Sequence, residues 1–412
     1  SYIVAAAIMT APLGWISARF GRKKLFIVCA AGFTIASMLC GIAQSIEEMV
    51  LFRLLQGVFG AVLAPAALAI ISVTFHEPKE RAKAFGAIGA ISAGGAAIGL
   101  IVGGTLTEYF SWRWCLGVNL PIAVIAALLA IKFVHESKAP GDRSYDIPGV
   151  IAATVGLFTL VYGFNRAATH GWGNSTTLSL FAISALFLVG FVVIERMVAN
   201  PLLPLRVVTE RNRGGSYLGS MVVGAGLFAM FLFLGLYLQV ILGYSPLRSG
   251  FAFLPFTAGI IIFAGIASQL MPKIGPKPLM IPGLGIAAFG MFLLMRLTPT
   301  SSYVSHVLPS LLIISSGMAL CFIPLSTTSL HNVGTHDAGV ASAMMNTSQQ
   351  IGGSLGTALL NTVAATATAN FLISHKQDSV QQSVQQVMAT VHGFTVAFQV
   401  GAILLVVGAA IL

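Results

Sequence analysis

The chain has 412 residues, of which 57% are hydrophobic and 8% are charged. A soluble domain carries about 25% charged residues, so a soluble globular protein is excluded and an integral membrane protein is indicated. The net charge of +10 would suggest nucleic acid in a soluble chain; here the cations sit between apolar runs, and no nucleic-acid partner is assigned.

A membrane-crossing helix needs about 20 mostly apolar residues. Thirteen runs qualify, at 1–18, 25–44, 48–72, 83–106, 113–134, 147–166, 177–197, 215–240, 247–270, 279–297, 304–327, 339–366 and 392–412. They are too long for barrel strands, which alternate over about ten residues. The expected fold class is all-α and integral to the membrane. The first run has its basic residues after it, whereas a signal peptide has them before. It therefore reads as a retained span, and the sequence reads as cut at its amino end. Cys29, Cys40, Cys115 and Cys321 lie inside apolar runs and read as packing residues, with no disulfide or metal spacing.

The connections after odd-numbered runs hold sixteen of the 22 Lys and Arg residues, among them Arg19, Arg22, Lys23, Lys24, Lys79, Arg81, Arg211, Arg213 and Lys273. The even-numbered ones hold Arg113, Arg166, Arg248, Arg296 and Lys376. The positive-inside rule places the richer set in the cytoplasm. The chain then starts outside and ends inside. One further span before Ser1 would bring the total to fourteen and place both completed ends in the cytoplasm. "FGRKKL" at 20–25 is echoed by "IGPKPL" at 274–279, eight runs later. Two six-helix repeats would therefore be separated by a two-helix insert. The expected organisation is 1–134, an amino-terminal bundle lacking its first helix; 135–214, the insert with its connections; and 215–412, a carboxyl-terminal six-helix bundle.

Four motifs stand in order along this frame. "GWISARFGRKK" at 14–24 joins the first two runs. "LFRLLQGVFGA" at 51–61 carries Arg53, Gln56, Gly57 and Gly60. "GAAIGLIVGG" at 95–104 spaces Gly95, Gly99 and Gly103 by four, followed by Gly104. "SWRWCLGVNLPIA" at 111–123 opens the next run. With "LQVILGYSPLRSGFAFLP" and "MNTSQQIGGSLGTALLN", this set resembles the major facilitator superfamily, specifically its fourteen-helix drug:proton antiporter branch (EmrB/QacA-like). Gly14, Arg19, Gly21, Arg22 and Lys23 match the family's cytoplasmic loop motif, while Ala18 stands where an Asp is usual. Leu100 stands in place of the Pro of the antiporter motif. The resemblance implies a major facilitator fold and proton-coupled efflux of lipophilic compounds by alternating access.

Each motif also has a physical reading. The loop cations anchor a connection at an anionic membrane face, each worth about 1 kcal/mol; in the family the loop also latches neighbouring helices. Arg53 is the one cation well inside a run, and a charge at mid-helix costs roughly 2.5–3.5 kcal/mol on insertion scales. It either snorkels to the interface or faces a polar interior. Gln56 and Gly60 share its helical face, which favours the interior. The resemblance implies that Arg53, with Gln56, tunes a proton-carrying acid in the helix preceding Ser1. The Gly95, Gly99, Gly103 stripe offers one smooth face for a close helix approach, as a hinge or as ordinary packing. Asn346, Gln350, Gly353 and Thr357 run down one face of the twelfth run, lining a wet cavity or bonding a neighbouring helix. Asn119, Gln239, Ser315, Ser316 and Thr327 are lesser polar candidates. Phe228, Met230, Phe231 and Phe233 offer an adaptable apolar pocket or plain core.

No phosphate loop and no ligand-like spacing among His306, His331, His336 and His392 is present. The expectation is therefore no cofactor, no metal and no enzymatic activity. The expected partners are protons, a lipophilic small molecule and the lipid bilayer of a cell's inner membrane; a periplasmic adaptor is left unassigned. Two rivals share the fold: an exporter of a specific metabolite or siderophore, and a transport-inactive scaffold or sensor. Residues 370–391 are polar, with Val380, Val384, Val387 and Val391 at helical spacing. They read as an amphipathic surface segment or a loop.

Overall fold

The computed structural model describes residues 21–74, 98–136, 146–198, 205–329, 338–375 and 381–412, with a few single positions between them. The expected spans at 1–18 and across most of 83–106 lie outside these residues. The described residues are helical and contain no strand. In chain order the helices are α1 (Arg22–Ile42), α2 (Ile46–Thr74), α3 (98–109), α4 (Asn119–Phe133), α5 (Ile147–His170), α6 (Ser175–Met197), α7 (Arg211–Leu236), α8 (Pro246–Ile274), α9 (Lys277–Leu294), α10 (Leu308–Ser329), α11 (Ala338–Ser374) and α12 (Gln382–Ile411). A short helical turn, Trp114–Gly117, leads into α4, and π-helical turns at Tyr237–Ile241 and Tyr303–Val307 flank α7 and α10. Ten of the helices found among the described residues are long and apolar enough to cross a membrane.

Local chemistry sets the ends. Asp146 caps α5 by accepting from the Gly149 amide at 2.8 Å, ahead of a Pro in the first turn. Asn174 accepts from the Thr176 amide at the start of α6. Ser245 caps α8 with Pro246 at its first position, where the missing N–H removes no intrahelical bond. Gly171 and Gly275 follow α5 and α8 at φ 87° and 82°, a backbone region where a side chain is strained. Of the segment 370–391, read as an amphipathic surface segment or a loop, residues 376–380 with Val380 lie outside the described residues. α11 runs on to Ser374 and α12 begins at Gln382, so Val391 is buried while Val384 and Val387 stay exposed.

Helices α7 to α12 share one apolar core built on Met230, Phe233, Leu284, Leu311, Met318 and Phe398. Glycine brings the helices close. A side chain at Gly224 would collide with the Gln349 carbonyl on α11, and one at Gly352 with Met221 on α7. In lipid, where burial of apolar surface gives little drive, such backbone contact is a main source of helix association. A smaller cluster of Leu25, Cys29, Val62 and Ala66 joins α1 to α2. Helices α5 and α6 form a hairpin packed on itself, and α5 also packs on α11.

Candidate functional site: a buried polar network and an apolar cavity

Arg53 and Gln56 sit on α2, one turn apart. The Arg53 Nη1 donates to Gln56 Oε1 at 3.2 Å, and the Gln56 Nε2 donates to Ser37 Oγ on α1 at 2.9 Å. Asn119 at the start of α4 donates to the same hydroxyl at 2.8 Å. The Ser37 hydroxyl in turn donates to the Leu116 carbonyl at 2.9 Å. A serine hydroxyl has one donor and two acceptor sites, so all three are used. Ser37 is wholly buried and Gln56 is 2% exposed. One buried hub therefore ties α1, α2 and α4 together, with the Arg53 charge at its edge. Asn119 belongs to this hub and not to the cavity described below. Sequence reading missed Ser37, because an isolated serine in an apolar helix carries no signal until its partners, 19 to 82 residues away, are brought to it. Among the described residues no carboxylate pairs with Arg53.

At the amino end of α1, Gly21 has φ 92°, and a side chain there would collide with the Glu136 carboxylate. Glu136, which follows α4, accepts from the amides of Lys23 and Lys24, each at 3.2 Å. The Lys23 ammonium donates to the Ile131 carbonyl at 2.9 Å. A carboxylate on the first-turn amides is favoured by the helix dipole. Ala18 lies outside the described residues; this carboxylate comes from a distant connection, and sequence reading did not find it. Arg22 stands beside it in the first turn, half-buried. Gly14 and Arg19 lie outside the described residues. At the other end of α1, Arg113 donates to the Gly41 and Ala43 carbonyls at 2.9 and 2.8 Å.

Helix α3 crosses α8 at backbone contact. A Cβ on Gly104 would lie 2.7 Å from Leu247 Cα, and one on Gly250 would lie 2.6 Å from the Leu100 carbonyl oxygen. The Glu108 carboxylate accepts from the Leu247 amide at 3.0 Å, fastening the same crossing. Among the described residues there is open space beside Gly95, Gly99 and Gly103. The close approach is therefore made by Gly104, one position from the expected stripe, and by Gly250, which the motif does not contain.

Next to this crossing lies a cavity of about 400 Å³, lined by Gly99 and Leu100 of α3 and by Leu227, Phe231, Phe256, Thr257, Ile260 and Phe322 of α7, α8 and α10. Thr257 is the single polar side chain among the described residues of that lining. Phe231 packs edge-on against Phe256 at 5.3 Å between centroids and tilts against Phe253 at 5.0 Å. Met230 and Phe233 are instead buried in the core of α7–α12. Phe228 fills the space over Gly353, where a Cβ would lie 2.7 Å from its ring. The stripe on α11 thus faces α7 at Gly353. Asn346 and Gln350 are half-buried, and the Thr357 hydroxyl bonds back to the Gly353 carbonyl at 2.6 Å. Gln239 is exposed within its π turn. Ser315 and Ser316 bond their own helix at Leu312 and Ile313, and Thr327 bonds Ile323 and the Met271 sulfur.

Residues 1–357 match the model of the Major Facilitator Superfamily. The chain belongs to that superfamily. It is 46% identical over 398 residues to the puromycin resistance protein pur8 of Streptomyces alboniger, covering 95% of this chain and 78% of that one. It is 34% identical over 386 residues to the cephamycin export protein CmcT of Amycolatopsis lactamdurans, covering 92% and 79%. Its backbone is similar to a crystal structure of the nucleoside transporter NupG, with a TM-score of 0.64 at 13% identity over 99% of this chain and 89% of that one; this likeness shows the fold alone. A major facilitator protein of this build is a multi-pass membrane transporter and not an enzyme.

Proposed function

We propose that this major facilitator protein exports lipophilic compounds in exchange for protons, as a member of the fourteen-helix branch. The observation that carries the reading is the cavity of about 400 Å³ whose described lining residues include one polar side chain, Thr257. Sites for small ligands span roughly 300–1,000 Å³ and are mostly apolar. A lipophilic molecule gains little hydrophobic free energy when it moves into such a site from lipid, since both surroundings are apolar. The Phe231, Phe253 and Phe256 rings supply what lipid lacks, fixed aromatic faces and edges. The relatives named for puromycin resistance and cephamycin export support export as the direction.

In this reading α1–α4 form one rocking body and α7–α12 the other, with the α5–α6 hairpin as the insert between them. The α3–α8 crossing closes the outer end, and alternating access requires it to part. The basic connections face the cytoplasm of the cell that carries the protein in its inner membrane. Proton entry supplies about 2.3 kcal/mol per charge for each 100 mV. Arg53 lowers the pKa of a partner carboxylate while the two are close, and the hub of Gln56, Ser37 and Asn119 holds its position.

Everted vesicles with an acidified lumen test this. Addition of puromycin to vesicles bearing the full-length protein is expected to release protons, and Arg53→Ala vesicles are expected to release at least tenfold less. Drug uptake that is equal with and without the proton gradient sinks the coupling. Equal proton release from the Arg53→Ala protein sinks the role of Arg53.

A further inference from the structure

A second cavity, of about 510 Å³, lies between α9 and α12. It shares no lining residue with the central one. Its walls include Gly285, Phe289, Phe292, Ile403 and Val407, and one amide, Gln399. The large side chains here point away from the protein: Phe289 is 54% exposed, and Ile403 and Val407 are about equally so. In a membrane protein such a face meets lipid, so its apolar lining needs no explanation. The amide does. Gln399 is exposed and has no hydrogen-bond partner among the described residues. It lies seven residues into the apolar part of α12 after His392, about 10 Å along the helix at 1.5 Å per residue. An unbonded amide at that depth is unfavourable, so its occupant must supply hydrogen-bonding groups.

A cation stands at the rim above it. Arg296 directly follows the lining residue Met295, is exposed, and holds its guanidinium 5.9 Å from the centroid of the Phe292 ring. The order from rim to depth is therefore a cation, an amide, and then an apolar channel past Ile403 towards Val407. We propose that this groove binds an anionic phospholipid of the leaflet at the end where α9 stops and α12 starts. The phosphate meets Arg296, an ester carbonyl accepts from the Gln399 amide, and one acyl chain follows the channel. A second copy of the chain fits less well, because a two-fold contact there brings two Arg296 cations together. A neutral lipophile leaves Arg296 unused.

Native mass spectrometry of the full-length protein, titrated with phosphatidylglycerol or phosphatidylcholine, tests the assignment. The wild type is expected to bind the first at least about fivefold more tightly. Arg296→Gln is expected to abolish that preference, and Gln399→Leu to weaken both lipids. Arg248→Gln, which removes another exposed cation near the same end, over Tyr244, is expected to change nothing. Melting curves show whether each variant folds; a misfolded Gln399→Leu is replaced by Gln399→Met. No preference in the wild type, or a preference that survives Arg296→Gln, overturns the proposal. So does a dimer peak that Arg296→Gln strengthens as lipid binding falls. The central cavity and its proposed export role are untouched by either result.

Discussion

Helices α1, α2 and α4 are joined by different means from helices α7 to α12. Among the described residues, the first group shares a small apolar cluster of Leu25, Cys29, Val62 and Ala66, plus the Ser37 hub. The second group shares a continuous apolar core, tightened where glycines let backbones touch. Its serines mostly bond their own helix: Ser310 to His306, Ser315 to Leu312, Ser326 to Phe322. A polar hub is directional and has one satisfied arrangement, whereas apolar packing tolerates substitution of similar volume. The first group is thus suited to hold a charge, Arg53, in one orientation. The second is suited to serve as a firm wall, and it supplies six of the eight residues that line the central cavity.

The largest test falls where α3 meets the second group, at its crossing with α8. Gly250→Leu places a side chain 2.6 Å from the Leu100 carbonyl, a backbone atom that cannot turn aside. Overpacking of this kind costs about 1–3 kcal/mol, so the crossing is expected to stay parted and transport to fall at least about tenfold. Gly265 is on the same helix and has open space beside it among the described residues. Gly265→Leu is expected to transport normally. Comparable drug resistance from the two variants would show that the α3–α8 crossing does not gate transport.

A smaller effect separates the two kinds of serine. Ser37→Ala leaves the Gln56 and Asn119 amides and the Leu116 carbonyl without their shared partner. Each orphaned group costs about 1–3 kcal/mol, and the apparent melting temperature in detergent is expected to fall by several degrees. Ser315→Ala removes one bond within α10 from an equally buried hydroxyl. Its cost is expected to stay under about 1 kcal/mol. Equal losses from the two variants would erase the distinction between hub and core.

The same contrast explains what could be read in the sequence. Hydropathy located most described spans to within a few residues, because about 20 apolar residues in succession have one use in a chain; α11 runs eight residues past the expected end at 366 and α12 starts ten before the expected 392, where polar residues extend the helices beyond the apolar run. Arg53 and Gln56 were legible as well, since a cation in an apolar run is costly enough to need a reason. Ser37 and Glu136 were not. A buried serine and an acid in a connection are unremarked until the fold sets them against residues 79 and 113 positions away, Leu116 and Lys23. The glycine stripe was half legible: its spacing showed a smooth face, but the helix rotation that turns Gly104 towards α8 is set by the partner. The cavity was least legible, because Phe231 and Phe233 differ by two positions and one lines it while the other is core.

The smallest expected effect concerns the connection that leads into the second group. Glu210 caps α7, accepting from the Arg213 amide at 2.9 Å and the Asn212 amide at 3.1 Å. These amides, Arg213's foremost, hold its carboxyl below the usual carboxylate range. A carboxyl that is more acidic folded than unfolded adds stability above its unfolded pKa and loses it as the pH falls through the folded value. Solvent screens this exposed group, so the gain is at most about half a kcal/mol. Glu210→Gln keeps an acceptor for the amides but removes the charge. Its melting temperature is expected to lie slightly below wild type at neutral pH, and the gap is expected to close as the pH drops below the usual carboxylate range. A gap that is constant with pH would mean that the side chain acts through shape alone, and that α7 starts at Arg211 for reasons internal to the apolar core.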